Sequence, residues 1–271
     1  MRLCAAGVAL AAAVSALASV AGAPAATPPS NAAPRTLVVA LRLGDPAMQA
    51  GVVRGGEIVL ARGYEVEVAR ALVRRLGSRP GRFVEMRPAG RLLAGAPAGW
   101  QLALAAIEPS RAARATAYLS APYVTTDVAV VPRRGLERPR GIADLRARVL
   151  CAARGTDGAR VLRVAVRPRQ APLLAAGDDR LRTLVRTGAC DAALVPAVEA
   201  GRFVRGHARE LGPVAGRIAN GEGLVVAVSR GGGLDPAAVN RALGSLRADG
   251  TLGRLARTWL GLDPARLHFL R

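Results

Sequence analysis

Between Gln101 and Tyr123 the chain reads QLALAAIEPSRAARATAYLSAPY. Its apolar run, Leu102 to Ile107, is too short to cross a bilayer and has the length of a buried parallel strand. Glu108-Pro109 ends the run, because proline lacks the N–H that a continuing ladder needs. Arg111 follows, a few residues past the strand's carboxyl end. In open α/β sheets that edge is where ligands bind. An arginine there presents five donors in a planar fork, which suits a carboxylate or a similar anion. The alternative for Arg111 is an ordinary surface charge, since all 39 basic residues of the chain are arginine.

The length, 271 residues, suffices for one large domain or two smaller ones. Half the residues are hydrophobic but only 3% are aromatic, so a core has to be built from Ala, Val and Leu. The formal charge of +20 raises nucleic acid as a partner. The arginines, however, are spread along the chain and not interleaved with aromatics, so no nucleic acid is expected. A positive surface can still meet anionic lipid or an acidic protein.

The amino-terminal segment reads as an export signal. Met1-Arg2 is a short basic start, Cys4 to Val20 is nearly all Ala, Val and Leu, and Ala23-Pro24-Ala25 supplies an A-x-A site. A Pro/Ala/Ser spacer follows to Pro34. A membrane anchor would need a longer run with polar stops on both sides. Cys4 lies too early to be a lipobox cysteine. Residues 1–25 are therefore read as a signal peptide and 26–35 as a linker, with the mature protein exported.

Two cysteines remain, Cys151 and Cys190, each at a strand-like run. In an exported chain they suggest one disulfide, the alternative being two buried thiols. The first and third strands of a doubly wound unit are commonly neighbours, which permits bridging distance. With only His207 and His268 besides, no metal site and no cofactor are expected.

In order, the chain offers a first strand at Arg35 to Leu43, a glycine-rich loop at Gly51 to Gly56, and a small hairpin arm at Glu57 to Leu60. A helix from Gly63 to Leu76 follows, with Val66, Ala69, Leu72, Val73 and Leu76 on its apolar stripe. Glu65 and Glu67 in its first turn complement the helix dipole. Further strands are read at Arg82 to Met86, Val128 to Val131, Val149 to Ala153, Asp191 to Val195 and Leu224 to Val228. A Pro/Gly-rich loop spans Pro88 to Gly99.

Several of these segments together resemble the family 3 extracellular solute-binding proteins, the periplasmic receptors of polar amino acid importers. The carriers are Gly63-Tyr64-Glu65-Val66-Glu67-Val68-Ala69, Glu108-Pro109-Ser110-Arg111, Ser120-Ala121-Pro122-Tyr123, Gly155-Thr156, and a closing segment of Val239, Asn240, Ala242, Leu243, Leu246, Ala248 to Leu252, Leu255 and Trp259 to Gly261. The resemblance spans about residues 36 to 264. It implies an α/β fold of two lobes, the type II periplasmic-binding architecture, with two crossover strands and a ligand cleft between the lobes. Lobe 1 would take 36–130 and 229–271, lobe 2 131–228.

The resemblance also implies a function: the substrate-binding component of an ABC importer, capturing an amino acid or a similar small polar or anionic solute in the cleft and delivering it to a permease in the inner membrane. Arg111, Gly155, Thr156 and Asp157 would form the ligand site. Two positions depart from the family pattern. Asp157 stands where a second hydroxyl residue is expected, and Pro196 where an aspartate usually takes the ligand's ammonium. Glu199 lies one turn further on. No catalytic motif is evident. Two other readings share the fold: an accessory partner protein of a quinoprotein dehydrogenase, and a cyclohexadienyl-dehydratase-like enzyme with Asp157 or Glu199 as its acid.

Overall fold

The computed structural model describes residues 35–86, 99–221 and 223–271. The signal segment, nearly all of the linker and most of the Pro88 to Gly99 loop lie outside them. The first half of the chain builds one sheet. Strand β1, Thr36–Leu41, alternates little and is nearly all buried, as a central parallel strand must be. A hairpin follows, β2 (Ala50–Arg54) and β3 (Glu57–Arg62), turning at Gly55 and Gly56, both with positive φ. The glycine-rich loop expected at Gly51 to Gly56 is therefore mostly strand. Gly51 lies in β2 with its Cα against the Ile58 side chain, and only the last two residues turn.

Helix α1, Tyr64–Arg75, packs on this sheet and leads into β4, Arg79–Glu85. The run after Gln101 gives a shorter strand than its apolar length suggested. Only Leu102–Leu104 forms β5, because the backbone bends at Ala106, whose φ is 50°. Helix α2 (Arg111–Thr116) and strand β6 (Ala117–Val124) complete this half.

The chain then builds a second sheet: β7 (Val128–Pro132), helix α3 (Ile142–Arg146), β8 (Leu150–Ala153), helix α4 (Asp157–Val161) continued by a wider turn Leu162–Val166, and β9 (Leu173–Ala175). Helix α5 (Asp178–Arg186), β10 (Ala192–Pro196), α6 (Ala197–Val204) and β11 (Gly216–Ile218) follow. Strand β12, Leu224–Ser229, returns to the first sheet and pairs antiparallel with β5 and β6. Helices α7 (Pro236–Ala248) and α8 (Thr251–Leu260) close the chain, with Asp235 capping α7 through the amides of Ala237 and Ala238.

The strand orders are β2-β3-β4-β1-β5-β12-β6 in the first sheet and β11-β7-β10-β8-β9 in the second. This is a two-lobed α/β fold in which β6–β7 and β11–β12 cross between sheets. Each sheet has its own core of Val, Leu and Ala, as the scarcity of aromatics requires; Tyr64 and Phe203 are the largest fully buried side chains. Within the second core β8 and β10 lie side by side in parallel. That adjacency places Cys151 and Cys190 6.0 Å apart at Cα, joined as a disulfide.

Candidate functional site

Strands β4, β1 and β5 run parallel, so their carboxyl ends share one edge of the first sheet. That edge carries Asp45, in the loop after β1, and Arg111, the first residue of α2. Ser110 caps α2, its Oγ accepting the Ala113 amide at 3.1 Å. Arg111 is exposed, and its guanidinium makes no hydrogen bond or ion pair among the described residues. In the second sheet β9, β8 and β10 are parallel, and their carboxyl edge carries Gly155, Thr156 and Asp157 after β8 and Pro196 at the end of β10.

Gly155 sits at φ 74°, a left-handed turn for which glycine carries no steric cost. Thr156 occupies the N-cap position of α4, yet its Oγ1 donates to the Ala153 carbonyl at 2.7 Å and does not cap the helix. Asp157 Oδ1 accepts from Arg160 Nη2 at 3.2 Å, and the same guanidinium donates to the Asn220 side-chain oxygen at 2.5 Å and to the Asn220 carbonyl at 3.1 Å. No hydrogen bond or ion pair joins Arg111 to Gly155, Thr156 or Asp157. Pro196 pairs with Val128 and leads directly into α6. Glu199, half-buried on α6, has its carboxyl pushed up by burial first and by Asp178 second, with Arg202 pulling the other way.

Four groups that motif reading missed organise this region. Asp45 and Arg202 form a two-pronged ion pair, Nη1 to Oδ1 at 2.8 Å and Nη2 to Oδ2 at 2.6 Å, from the loop after β1 to α6. Asp127, nearly fully buried between the sheets, accepts from Arg217 and from the Asn220 amide, while its own carbonyl accepts the Ala197 amide at 2.8 Å. It thereby ties together both crossover segments and the start of α6.

Glu65 is the fourth. Beyond its place in the first turn of α1, it is fully buried and receives three donors: the Gln49 amide, the Tyr123 hydroxyl and the Ala106 N–H, the last at 2.9 Å. Its carboxyl is pushed up to about 7, chiefly by burial, with Tyr123 and Ala106 opposing. By holding Ala106 in its positive-φ conformation it shapes the loop from β5 to Arg111. The sequence did carry a signal, since Glu65 lies in line with Ala69, Leu72 and Leu76 on the stripe of α1. Glu67 instead pairs at the surface with Arg70.

Residues 59–262 match the family model of the bacterial extracellular solute-binding proteins, family 3. The chain belongs to this family. Solved structures agree on the fold of this family 3 solute-binding protein. The unliganded, open L-cystine solute receptor of Neisseria gonorrhoeae is 22% identical, with a TM-score of 0.68 over 84% of this chain and 93% of the receptor. A polar amino acid ABC uptake transporter substrate-binding protein from Streptococcus thermophilus is 15% identical, with a TM-score of 0.68 over 84% and 87%. The second substrate-binding domain of Lactococcus lactis GlnP in its open conformation is 14% identical, with a TM-score of 0.66 over 84% and 96%. No curated protein sequence matches this solute-binding protein. Among its described residues no helix is long and apolar enough to cross a membrane, and no group of His, Cys, Asp and Glu is placed to hold a metal ion.

Proposed function

We propose that this chain is the periplasmic receptor of an ABC importer, exported by its amino-terminal signal and presenting a small polar or anionic solute to an inner-membrane permease. Lobe 1 would comprise 36–130 with 229–271 and lobe 2 131–228, and the solute would bind where the carboxyl edges of the two sheets meet. The observation that carries this reading is the unpaired Arg111 guanidinium at one such edge, in a protein whose family captures solutes. Arg111 takes the solute's anionic group, with the turn of Gly155 and Thr156 opposite it.

Asp157 shapes the choice of solute. Arg160 already lies on its carboxylate, and Pro196 offers no charge, so neither position holds a free anion for an ammonium group. This favours a small organic acid over a zwitterionic amino acid bound through Asp157.

The test is a thermal-shift screen of the mature protein against amino acids, amines and small carboxylates. A solute at a hundred times its Kd adds about 2.7 kcal/mol of stability, a readily measured rise in Tm. Arg111→Ala should leave the unliganded Tm unchanged and weaken the stabilising solute tenfold or more, since a charge-assisted contact of about 1.5–3 kcal/mol is lost. Undiminished binding by that variant would refute the assignment. A screen silent in all three classes would instead support the accessory-protein reading, and turnover of a bound acid the enzymatic one.

A further inference from the structure

We propose a second ligand site, for a small multivalent anion, beside the crossover from β6 to β7. A cavity of about 460 Å³ lies there, within the size range of small-molecule sites. Arg247 at the end of α7, Arg254 and Arg257 on α8, and Arg266 in the short turn Pro264–Arg266 stand in its wall, and the buried Tyr64 and Tyr123 close its floor. None of the residues assigned above to solute capture lines it.

The charge balance in the cavity is one-sided. Against four guanidinium groups stands one carboxylate, Asp263, which accepts the Ala265 amide at 3.1 Å and lies 3.7 Å from Arg257. The arginines retain donors to spare, since each guanidinium has five N–H groups. Arg254 spends two, on the Asp249 carbonyl at 2.9 Å and the Thr251 hydroxyl at 2.7 Å. Arg247 donates to the Pro122 carbonyl. Arg266 makes no side-chain hydrogen bond or ion pair among the described residues. Several converging forks suit a ligand with more than one oxyanion, a di- or tricarboxylate or a phosphate. In a chain this rich in arginine, charge alone would mark nothing. The floor of buried tyrosines and the convergence of five elements on one cavity distinguish this cluster from the surface arginines.

The walls are also fastened to different sheets, although Arg254 and Arg266 both lie in the stretch 229–271 assigned above to lobe 1. Arg247 and Arg254 stand on helices packed over the first sheet. The turn bearing Arg266 is fastened to the second sheet by Arg217 of β11, which donates to the Leu267 carbonyl at 2.9 Å and the Ala265 carbonyl at 3.3 Å. An anion held between Arg254 and Arg266 would therefore join the two sheets beside the crossover at Val124.

Isothermal titration of the mature protein with citrate, and separately with inorganic phosphate, at low ionic strength tests this. The expected result is saturable one-to-one binding of at least one probe. Its Kd should rise about tenfold in Arg254→Gln/Arg266→Gln and measurably in Arg266→Gln alone, which breaks no bond within the protein. The surface control Arg180→Gln should leave it unchanged, and the loss in the double variant should persist in an Arg111→Ala background, where the solute site proposed above is disabled. Three results overturn the proposal: no saturable binding of either probe, an equal loss in Arg180→Gln, which means diffuse charge attraction, or a loss in Arg111→Ala with none in the double variant.

Discussion

Glu65 shows how one side chain can serve two conflicting demands. Burial favours its neutral form, whereas three donors directed at its two oxygens favour the charged one, and burial prevails, leaving the carboxyl at about 7. The sign of the consequence follows from linkage. A carboxyl with a folded pKa of about 7 and an unfolded one near 4.5 binds more protons folded than unfolded between those values. Its contribution to stability is complete below about pH 4.5 and is lost as pH rises through about 7, by at most about 3 kcal/mol. We expect Glu65→Gln, with Gln49 turning its amide to match, to flatten the wild-type fall in urea-unfolding free energy between pH 5 and pH 7.5. Identical pH slopes for variant and wild type would disprove the assignment. The stripe of α1 put Glu65 among apolar positions. Its partners Gln49, Ala106 and Tyr123 come from three separate segments, and no spacing along the chain reveals that they converge.

At the scale of elements, α6 is the piece most closely bound to both halves. Its Phe203 belongs to the core of the second sheet, while Val198 packs against the core of the first. Gly201 permits this, because a Cβ there would collide with the Leu260 carbonyl oxygen and the Gly261 backbone at the end of α8. Two effects of Gly201→Ala oppose each other. Alanine stabilises a helix interior by about 1 kcal/mol over glycine, while forcing a methyl against rigid backbone costs about 1–3 kcal/mol. The collision involves main chain on both sides, so the second should win, with a net loss of up to about 2 kcal/mol read from the midpoint of urea unfolding. Equal or greater stability would mean that α6 sits further from α8 than described. The neighbouring helices α7 and α8 were legible in advance, from the Val239, Leu243 and Leu246 stripe, the Asp249-Gly250 turn and Trp259. The role of Gly201 was not, since an isolated glycine in a helical run has no distinctive pattern.

For the whole molecule, Asp45–Arg202 bridges the two halves outside the crossover strands. Both side chains are about a third exposed, so the pair contributes at most about 1 kcal/mol. If the two halves exchange between closer and wider arrangements, that is enough to change their ratio about fivefold. Arg202→Ala should therefore raise the radius of gyration of the unliganded protein in small-angle scattering. An unchanged curve would show that the crossover network of Asp127, Arg217 and Asn220 sets the geometry unaided. Local patterns made the individual strands and the C-terminal helix pair legible, and the motifs carried a resemblance that implied the two-lobed α/β class and the family, because strand and helix periods, glycine turns and motif spacings are properties of contiguous chain. The pairing of Cys151 with Cys190 stayed open against two buried thiols until the strand order was known. Tertiary structure alone decided that Arg160 meets Asn220, that Asp45 meets Arg202 157 residues away, and that four arginines gather over Tyr64 and Tyr123. Those pairings depend on which sheet edges and helices the crossovers bring together, and in a chain with 39 arginines and 19 acidic residues composition leaves the choice of partner almost unconstrained.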